Sequence, residues 1–415
     1  MQNNILPKFI KVENRNKVAL IDPENAVCLG VSKRTSDNLD DILIQKRLFP
    51  IWQEQVDLQK RIHSNRERIN TIYLMVTRQC NMNCDFCAIN ANQNMDLSKE
   101  FTADSIKNYV VPFLKECTPH KLIITGGEPL IKQDLLKIIE MVKNSVKCHI
   151  ALQSNGLEIK KEFVHGIKNN IDEIDFSVAH MIGNDKLEQK LIQNIELCQQ
   201  NGIEIALSFV YDGTNEQKLL TAIDYAAKYN TQFLLTNTVP VGRAKENGNI
   251  ISVNNQIDLF TNVAKYILEK KYEDKLVAEI FFAPVQIRKG CGGYGKIMSI
   301  FPEGNIYMCQ SLENDEFKIG NILEDSSQEL LEKLNSKLEL PMIKQTFCVD
   351  NKNICCSCIY RYLCGGKCAV SDDDSDPKCL LVKAFIDYSL FYYEPKENVR
   401  YNLSSYINHL QSLKG

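Results

Sequence analysis

The stretch Thr71-Ile-Tyr-Leu-Met-Val-Thr77-Arg-Gln-Cys80-Asn-Met-Asn-Cys84-Asp-Phe86-Cys87 runs from an apolar, strand-length segment straight into three cysteines. Their spacing is C-x3-C-x2-C. Three thiolates so close in sequence can wrap one cluster, each sulfur reaching a different iron. An iron–sulfur cubane ordinarily takes four thiolates, so three leave one iron open to an outside ligand. A zinc knuckle is the bland alternative, but zinc needs a fourth Cys or His close by. The nearest histidines in sequence, His63 and His120, are not well placed.

Outward from this stretch, strand-length apolar runs recur at Thr71–Thr77, Lys121–Thr125, Cys148–Leu152, Glu173–Val178, Ile203–Val210 and Gln232–Thr236. Most show little polar alternation, the pattern of parallel strands covered on both faces. Helical patterns lie between them. Asn184–Gln200 puts Leu187, Leu191, Ile195 and Cys198 on one stripe and stops at Asn201-Gly202, a C-cap signal. Six successive βα units predict an α/β fold, either a barrel or an open sheet. Such folds place their chemistry at the C-terminal ends of the strands.

The flanks read differently. Before residue 71, Phe9–Val12, Val18–Ile21 and Ala26–Leu29 predict three short antiparallel strands, followed by helices over Ser36–Arg47 and Pro50–Arg66. Beyond about residue 285 the alternation ends, with a hairpin expected at Pro302–Asn305 and loops too rich in Gly and Cys for an ordinary core. A helical tail is expected from Leu380 onward. Ser371–Asp376 reads as a solvated acidic loop. The expected domains are 1–70, 71–284, 285–380 and 381–415.

Composition narrows the function. Of 415 residues, 49 are Lys or Arg and 52 are Asp or Glu, for a net charge of −3. No basic surplus exists to release phosphate counterions, so binding nucleic acid through bulk charge is not expected. The N-terminal residues form no apolar signal segment, and no apolar run approaches membrane-spanning length, so neither export nor membrane insertion is expected. The cysteines are the anomaly. There are 16, and nine fall between Cys291 and Cys379. In a reducing cytosol, clustered thiols are more often metal ligands or redox groups than disulfides. Cys28, Cys117, Cys148 and Cys198 lie on apolar stripes or in strand-like runs and read as core residues.

At Cys80, Cys84, Phe86 and Cys87 the chain resembles the radical S-adenosylmethionine (SAM) superfamily, with the usual aromatic before the third cysteine. The resemblance implies a partial (β/α)6 TIM-like barrel and a [4Fe–4S] cluster whose open iron is chelated by SAM. It also implies reductive cleavage of SAM to a 5′-deoxyadenosyl radical that takes a hydrogen atom from substrate. Thr125-Gly126-Gly127-Glu128-Pro129 follows the second strand and resembles the family's segment at the SAM amino group. Glycines let backbone approach a ligand. Gln153-Ser154-Asn155-Gly156 closes the third strand and resembles a segment near SAM. Ser177 ends the fourth strand where the family often has Ser-x-Asp. Here Ala179 stands in place of the Asp, so only Ser177 carries over. Arg243, in Pro240-Val-Gly-Arg243-Ala, resembles a segment after the sixth strand that lines the site.

Cys291-x12-Gly304-x4-Cys309, then Cys355-x2-Cys358-x5-Cys364-x3-Cys368 and Cys379, resembles the SPASM pattern at every spacing. A zinc ribbon is the bland reading of its C-x2-C. The resemblance implies two auxiliary [4Fe–4S] clusters, making three in all. Cys291, Cys309 and Cys368 would bind the first, and Cys355, Cys358, Cys364 and Cys379 the second. No cysteine lies between Cys198 and Cys291 to serve as an upstream fourth ligand. The first auxiliary cluster then keeps an open iron, or Cys348 or Cys356 completes it. Either of those two could instead donate a hydrogen atom.

SPASM enzymes mostly modify peptides or proteins. Sulfatase maturases typically carry an Asp directly after the hairpin cysteine, where this chain has Gln310. Peptide epimerases need a thiol donor, which Cys348 or Cys356 offers. Maturases of ribosomal peptides, which form thioether or carbon–carbon cross-links, are favoured by residues 1–70. These resemble a shortened RiPP recognition element, a winged-helix-like module that captures a leader peptide as an added strand. A structural cap on the barrel is the alternative. The expected partners are a precursor peptide with its leader and a flavodoxin- or ferredoxin-type electron donor, in the cytoplasm. A non-catalytic iron–sulfur electron carrier would explain the C-terminal cysteines, but not an open three-cysteine site beside Gly126-Gly127-Glu128.

Overall fold

The computed structural model describes residues 5–63, 69–247, 253–281, 285–371 and 378–413, so the acidic loop from 372 to 376 lies outside the described residues. The chain divides into two compact units. One comprises Met1–Glu67, Phe282–Cys291 and Pro341–Gly415, and the other Arg68–Phe281 and Gly292–Leu340.

In the first unit, β1 (Ile10–Asn14), β2 (Lys17–Asp22) and β3 (Val27–Ser32) form an antiparallel meander. Strand alternation sends β2 residues to two cores. Val18 and Leu20 pack with Phe9, Val27 and Leu29 against Leu48 and Val56. Ala19 and Ile21 pack with Val12 against Val349, Cys355, Tyr362, Leu363 and Ile386. Two helices follow the sheet, α1 (Lys33–Asp37), capped by Ser32, and α2 (Ile42–His63). The expected break before Pro50 is absent, because α2 runs through that proline. An interior proline costs a helix about 3 kcal/mol. Here Leu48 and Phe49 on one side of it, and Trp52 and Val56 on the other, all join one core. Trp52 Nε1 also donates to Asp22 Oδ2 at 2.9 Å.

In the second unit, β4 (Thr71–Met75), β5 (Lys121–Thr125), β6 (His149–Ser154), β7 (Glu173–Ser177), β8 (Glu204–Tyr211) and β9 (Gln232–Asn237) pair in chain order, all parallel. The intervening helices include α3 (Val111–Cys117), α4 (Leu135–Ser145), α5 (Lys161–Ile167), α6 (Asp185–Gln200) and α7 (Glu216–Tyr229). The fold is the expected α/β partial barrel. Asn184 caps α6 by accepting from Leu187 N, and the helix stops at Asn201, as its sequence signals require.

Two features differ from the sequence reading. The strands are covered on both faces, but the face turned from the helices is mixed rather than uniformly apolar. Ile174 and Phe176 of β7, and Ile205, Leu207 and Phe209 of β8, are buried. The alternate positions carry Glu173, Asp175 and Ser177 on β7, and Glu204, Ala206, Ser208 and Val210 on β8. A partial barrel has an inner wall as well as a helix-covered one, and polar and apolar residues share it. The second difference is that strand pairing resumes after the barrel. Strand β10 (Ile297–Ile300) pairs parallel with β4, and β11 (Asn305–Tyr307) and β12 (Lys318–Asn321) extend the sheet antiparallel to nine strands. The β10–β11 turn is the hairpin expected at Pro302–Asn305, with Gly304 at φ +92°.

Helix α8 (Ser327–Leu338) follows in this unit, and the chain returns to the first unit with α9 (Pro341–Phe347), α10 (Arg361–Cys364), α11 (Lys378–Phe391) and α12 (Val399–Ser412). The expected helical tail is thus two helices, joined by Tyr388 packed edge-on against Tyr406. No helix among the described residues is long and apolar enough to cross a membrane.

Candidate active site

The loop after β4 carries Cys80, Cys84 and Cys87, and backbone bonds fix its shape. Cys80 N donates to Asn92 O at 3.0 Å, and Cys87 N to Cys84 O at 3.2 Å. Arg243 closes the loop from the far end of the barrel. Its Nε donates to Cys84 O at 2.7 Å, its Nη2 to Ala91 O at 3.0 Å, and its backbone N to Cys87 O at 3.1 Å. The guanidinium is thus taken up by loop carbonyls. Burial raises the Cys80 and Cys84 thiols, Cys84 to about 11, and the Arg243 charge opposes the rise. Cys84 is further raised by the charges of Cys80 and Cys87, so the three sulfurs sense one another. Phe86 is half-buried in the turn before Cys87.

Gly126 and Gly127 serve a backbone contact within the protein. Gly127 N donates to Thr77 O, and Glu128 N to Gln79 O, both at 2.8 Å. A Cβ on Gly127 would sit 2.1 Å from Gln79 O, and one on Gly126 2.4 Å from Thr77 O. Only glycine allows the two segments this close, and their contact positions the chain leading into Cys80.

Glu128 is fully buried. Its carboxylate accepts from Ser154 Oγ at 2.7 Å, Asn155 N at 2.8 Å and Leu130 N at 2.9 Å. Burial raises its pKa, and these hydrogen bonds oppose the rise. Asn155 Nδ2 in turn reaches Asn81 Oδ1 at 2.8 Å, inside the cysteine loop. The ends of β4, β5 and β6 are therefore one hydrogen-bonded assembly. Ser177 is half-buried at the end of β7, opposite Ser208 of β8.

A second brace was not legible from the sequence. Arg78 holds Glu303 through Nε at 3.1 Å and Nη2 at 2.7 Å, and also pairs with Glu313. Its guanidinium lies 4.8 Å over the Phe301 ring. It joins the start of the Cys80 loop to the β10–β11 hairpin that leads to Cys309. Burial raises the Glu303 pKa, but the Arg78 hydrogen bond and charge outweigh it and the net shift is downward. A carboxylate lowered in the folded state stabilises above its unfolded value, and that contribution fades as pH falls through its folded value. Arg78→Ala should destabilise the protein at neutral pH by about 1–3 kcal/mol, given two partly exposed partners and a ring contact. Its deficit relative to wild type should shrink in acid, which denaturant unfolding across pH will show.

The donor set suits a cluster held by thiolates, with three cysteines on one loop and a cation beside them. Among the described residues, no three His, Cys, Asp or Glu side chains are grouped as a metal site. Residues 74–226 match the family model of the Radical SAM superfamily.

The chain carries a radical SAM domain.

A probable GTP 3′,8-cyclase of Methanococcus aeolicus is 30% identical over 201 residues, covering 44% of this chain and 63% of that protein. The chain spans 32% to 63% of the length of the curated relatives it matches. Among solved structures, native anSMEcpe with bound AdoMet aligns at TM-score 0.58 and 17% identity, covering 83% of this chain and 99% of that one. Streptococcus suis SuiB bound to precursor peptide SuiA aligns at TM-score 0.55 and 15% identity, covering 95% and 99%. These likenesses extend the shared fold beyond the radical SAM domain, and the C-terminal cysteine spacing fits the SPASM pattern.

Of those C-terminal cysteines, Cys309 follows β11 in the barrel unit, and Cys291, Cys355, Cys358, Cys364, Cys368 and Cys379 belong to the other unit. Cys355 is buried in the core beneath the meander. Cys358 N donates to Cys355 O at 2.9 Å, and Gly365 at φ +78° ends the short helix that carries Cys364. Cys348 and Cys356 part company. Cys348 sits in a bridge with Gly290, next to Cys291. Cys356 is exposed, with its Sγ 3.1 Å from Asn353 O.

Proposed function

We propose that this protein is a radical SAM peptide maturase that removes hydrogen from a ribosomally made precursor and installs a thioether or carbon–carbon cross-link. The observation that carries the reading is the braced loop of Cys80, Cys84 and Cys87 at the C-terminal end of the first barrel strand. When bound, the [4Fe–4S] cluster and SAM supply one-electron cleavage of SAM and hydrogen-atom abstraction. Cys80, Cys84 and Cys87 hold that cluster. Gly126, Gly127 and Glu128 fix the loop against β5, and Arg243 fixes its far end and supplies a positive charge beside the thiols. Phe86, Ser154, Asn155 and Ser177 lie on the segments that face SAM in this reading.

Residues 10–32 support a peptide partner. Both faces of the meander have buried cores, so its unpaired groups are at the edges, β1 and β3. On β3, Gly30 and Ser32 are exposed. An extended leader adding there would gain main-chain hydrogen bonds. The likeness to solved structures holding a Cp18Cys peptide and precursor peptide SuiA agrees with this.

Cys291, Cys309 and Cys368 hold the first auxiliary cluster in this proposal, and Cys355, Cys358, Cys364 and Cys379 the second. Of the two unassigned cysteines, Cys348 is the better candidate to complete the first, since it adjoins Cys291 in the backbone.

The test is anaerobic. Reconstituted enzyme, reductant, SAM, deuterated buffer and the small Cys-containing peptide encoded beside the gene are combined and read by mass spectrometry. Loss of two hydrogens per event with thiols blocked to alkylation establishes a thioether. The same loss with free thiols means a carbon-based cross-link. Deuterium gain without oxidation means epimerisation, and formylglycine means sulfatase maturation. Either of the last two overturns the cross-linking reading.

A further inference from the structure

The inner wall of the barrel carries a polar ladder across four consecutive strands. Thr125 Oγ1 of β5 donates to Gln153 Oε1 of β6 at 3.2 Å, and Gln153 Nε2 donates to Asp175 Oδ2 of β7 at 3.0 Å. Ser208 Oγ of β8 donates to Asp175 Oδ1. In register, Gln153 stands beside Asp175, on the wall opposite the helix-facing Ile174 and Phe176. The ladder runs toward Asp175 from both sides, and its two donors fill about half of a carboxylate's lone-pair positions.

Asp175 is only 7% exposed and takes part in none of the ion pairs among the described residues, although the charge of Lys121 still favours its ionised form. Lys121 itself is held 3.2 Å from Glu173, which His149 also meets at 3.2 Å. Strand β4 contributes Tyr73, whose phenol is raised by burial and, to a lesser degree, by the charges of Cys309 and Asp175. Ser299, beside Tyr73 in the sheet, is fully buried, and its hydroxyl has no partner among the described residues. A buried carboxylate without a counter-ion is costly, and a bound cation removes that cost. Burial pushes Asp175 up to about 6, which leaves it mostly ionised at neutral pH.

We propose that Asp175, with Gln153 and Ser208, forms a subsite in the barrel that takes the primary ammonium of a lysine-type side chain on the substrate. Each carboxylate oxygen already holds one donor. That suits a compact ammonium better than a guanidinium fork, which needs both oxygens side by side. The proposal rests on the peptide reading for the identity of the ligand. Its test reads binding without turnover, so the two can fail separately.

Anaerobically reconstituted full-length enzyme with SAM is titrated at pH 7.5 with N-acetyl-lysine methylamide and with its neutral isostere, N-acetyl-norleucine methylamide. A charge-assisted hydrogen bond predicts that the lysine derivative binds about tenfold more tightly or better. Asp175→Asn keeps the shape and the bond from Gln153, with the Ser208 hydroxyl turning to accept from the new amide, but removes the charge and should erase the preference. Equal binding of the two probes to wild type overturns the proposal without recourse to any variant. A lysine preference that survives in Asp175→Asn also overturns it.

Discussion

Replacing Cys80, Cys84 and Cys87 together with alanine removes about four irons per chain from the reconstituted protein. It also abolishes the paramagnetic signal that responds to SAM and reduces 5′-deoxyadenosine formation to background. The reason is local. The loop's shape is set by backbone bonds to Asn92 and Arg243, which the substitutions leave in place. The thiols have no other task there, since Cys80 Sγ meets only the Met82 amide, at 3.4 Å. The variant should therefore fold and still load iron at its C-terminal cysteines. Iron analysis, electron paramagnetic resonance and chromatography of the SAM products read the three effects. An unchanged iron content would mean that these cysteines hold no cluster.

Gly127→Ala should have the second largest effect, although it touches no thiol. The new Cβ would stand 2.1 Å from Gln79 O, 2.6 Å from Gln79 C and 2.8 Å from Arg78 O. All three are backbone atoms, so no side chain can swing aside. Either Glu128 N loses its bond to Gln79 O, or the whole Thr77–Cys80 segment moves. Overpacking of this kind costs about 3 kcal/mol, or roughly 6–12 °C in the unfolding midpoint of a unit this size. Cluster loading should fall with it, because the displaced segment leads into Cys80. Calorimetry of the apo-protein separates the two effects. A midpoint within a degree of wild type would contradict the close packing of these strands.

Much of this was written locally in the chain. Strand positions followed from short apolar runs, α6 from its stripe and from Asn184 and Asn201-Gly202, and the hairpin from Pro302–Asn305. Each depends on neighbours within a few residues, where propensity and capping act. What sequence did not reveal depends on partners far apart in the chain. Arg243 reaches a carbonyl 159 residues away, and Arg78 a carboxylate 225 away. Nothing near either arginine announces its partner. The parallel pairing of β10 with β4 is non-local in the same way, and the continuity of α2 through Pro50 comes from the core it packs into. Asp175 is different. Glu173-Ile-Asp175-Phe-Ser177 alternates polar with apolar at a period of two, the signal of a strand with one polar face. That face is nonetheless buried, with Glu173 and Asp175 only 5% and 7% exposed, and nothing local in the sequence announces a buried polar row.

Hydrogen transfer from a peptide in this barrel leaves a mass label in the product. The most direct measurement supplies the enzyme, under reducing anaerobic conditions, with SAM and the neighbouring precursor peptide carrying deuterium on its side chains. The 5′-deoxyadenosine formed is then weighed. Deuterium is expected in that product, formed faster with peptide than without it. Peptide-independent 5′-deoxyadenosine free of deuterium would contradict the claim, and deuterium transfer from labelled GTP in place of the peptide would give the barrel a different substrate.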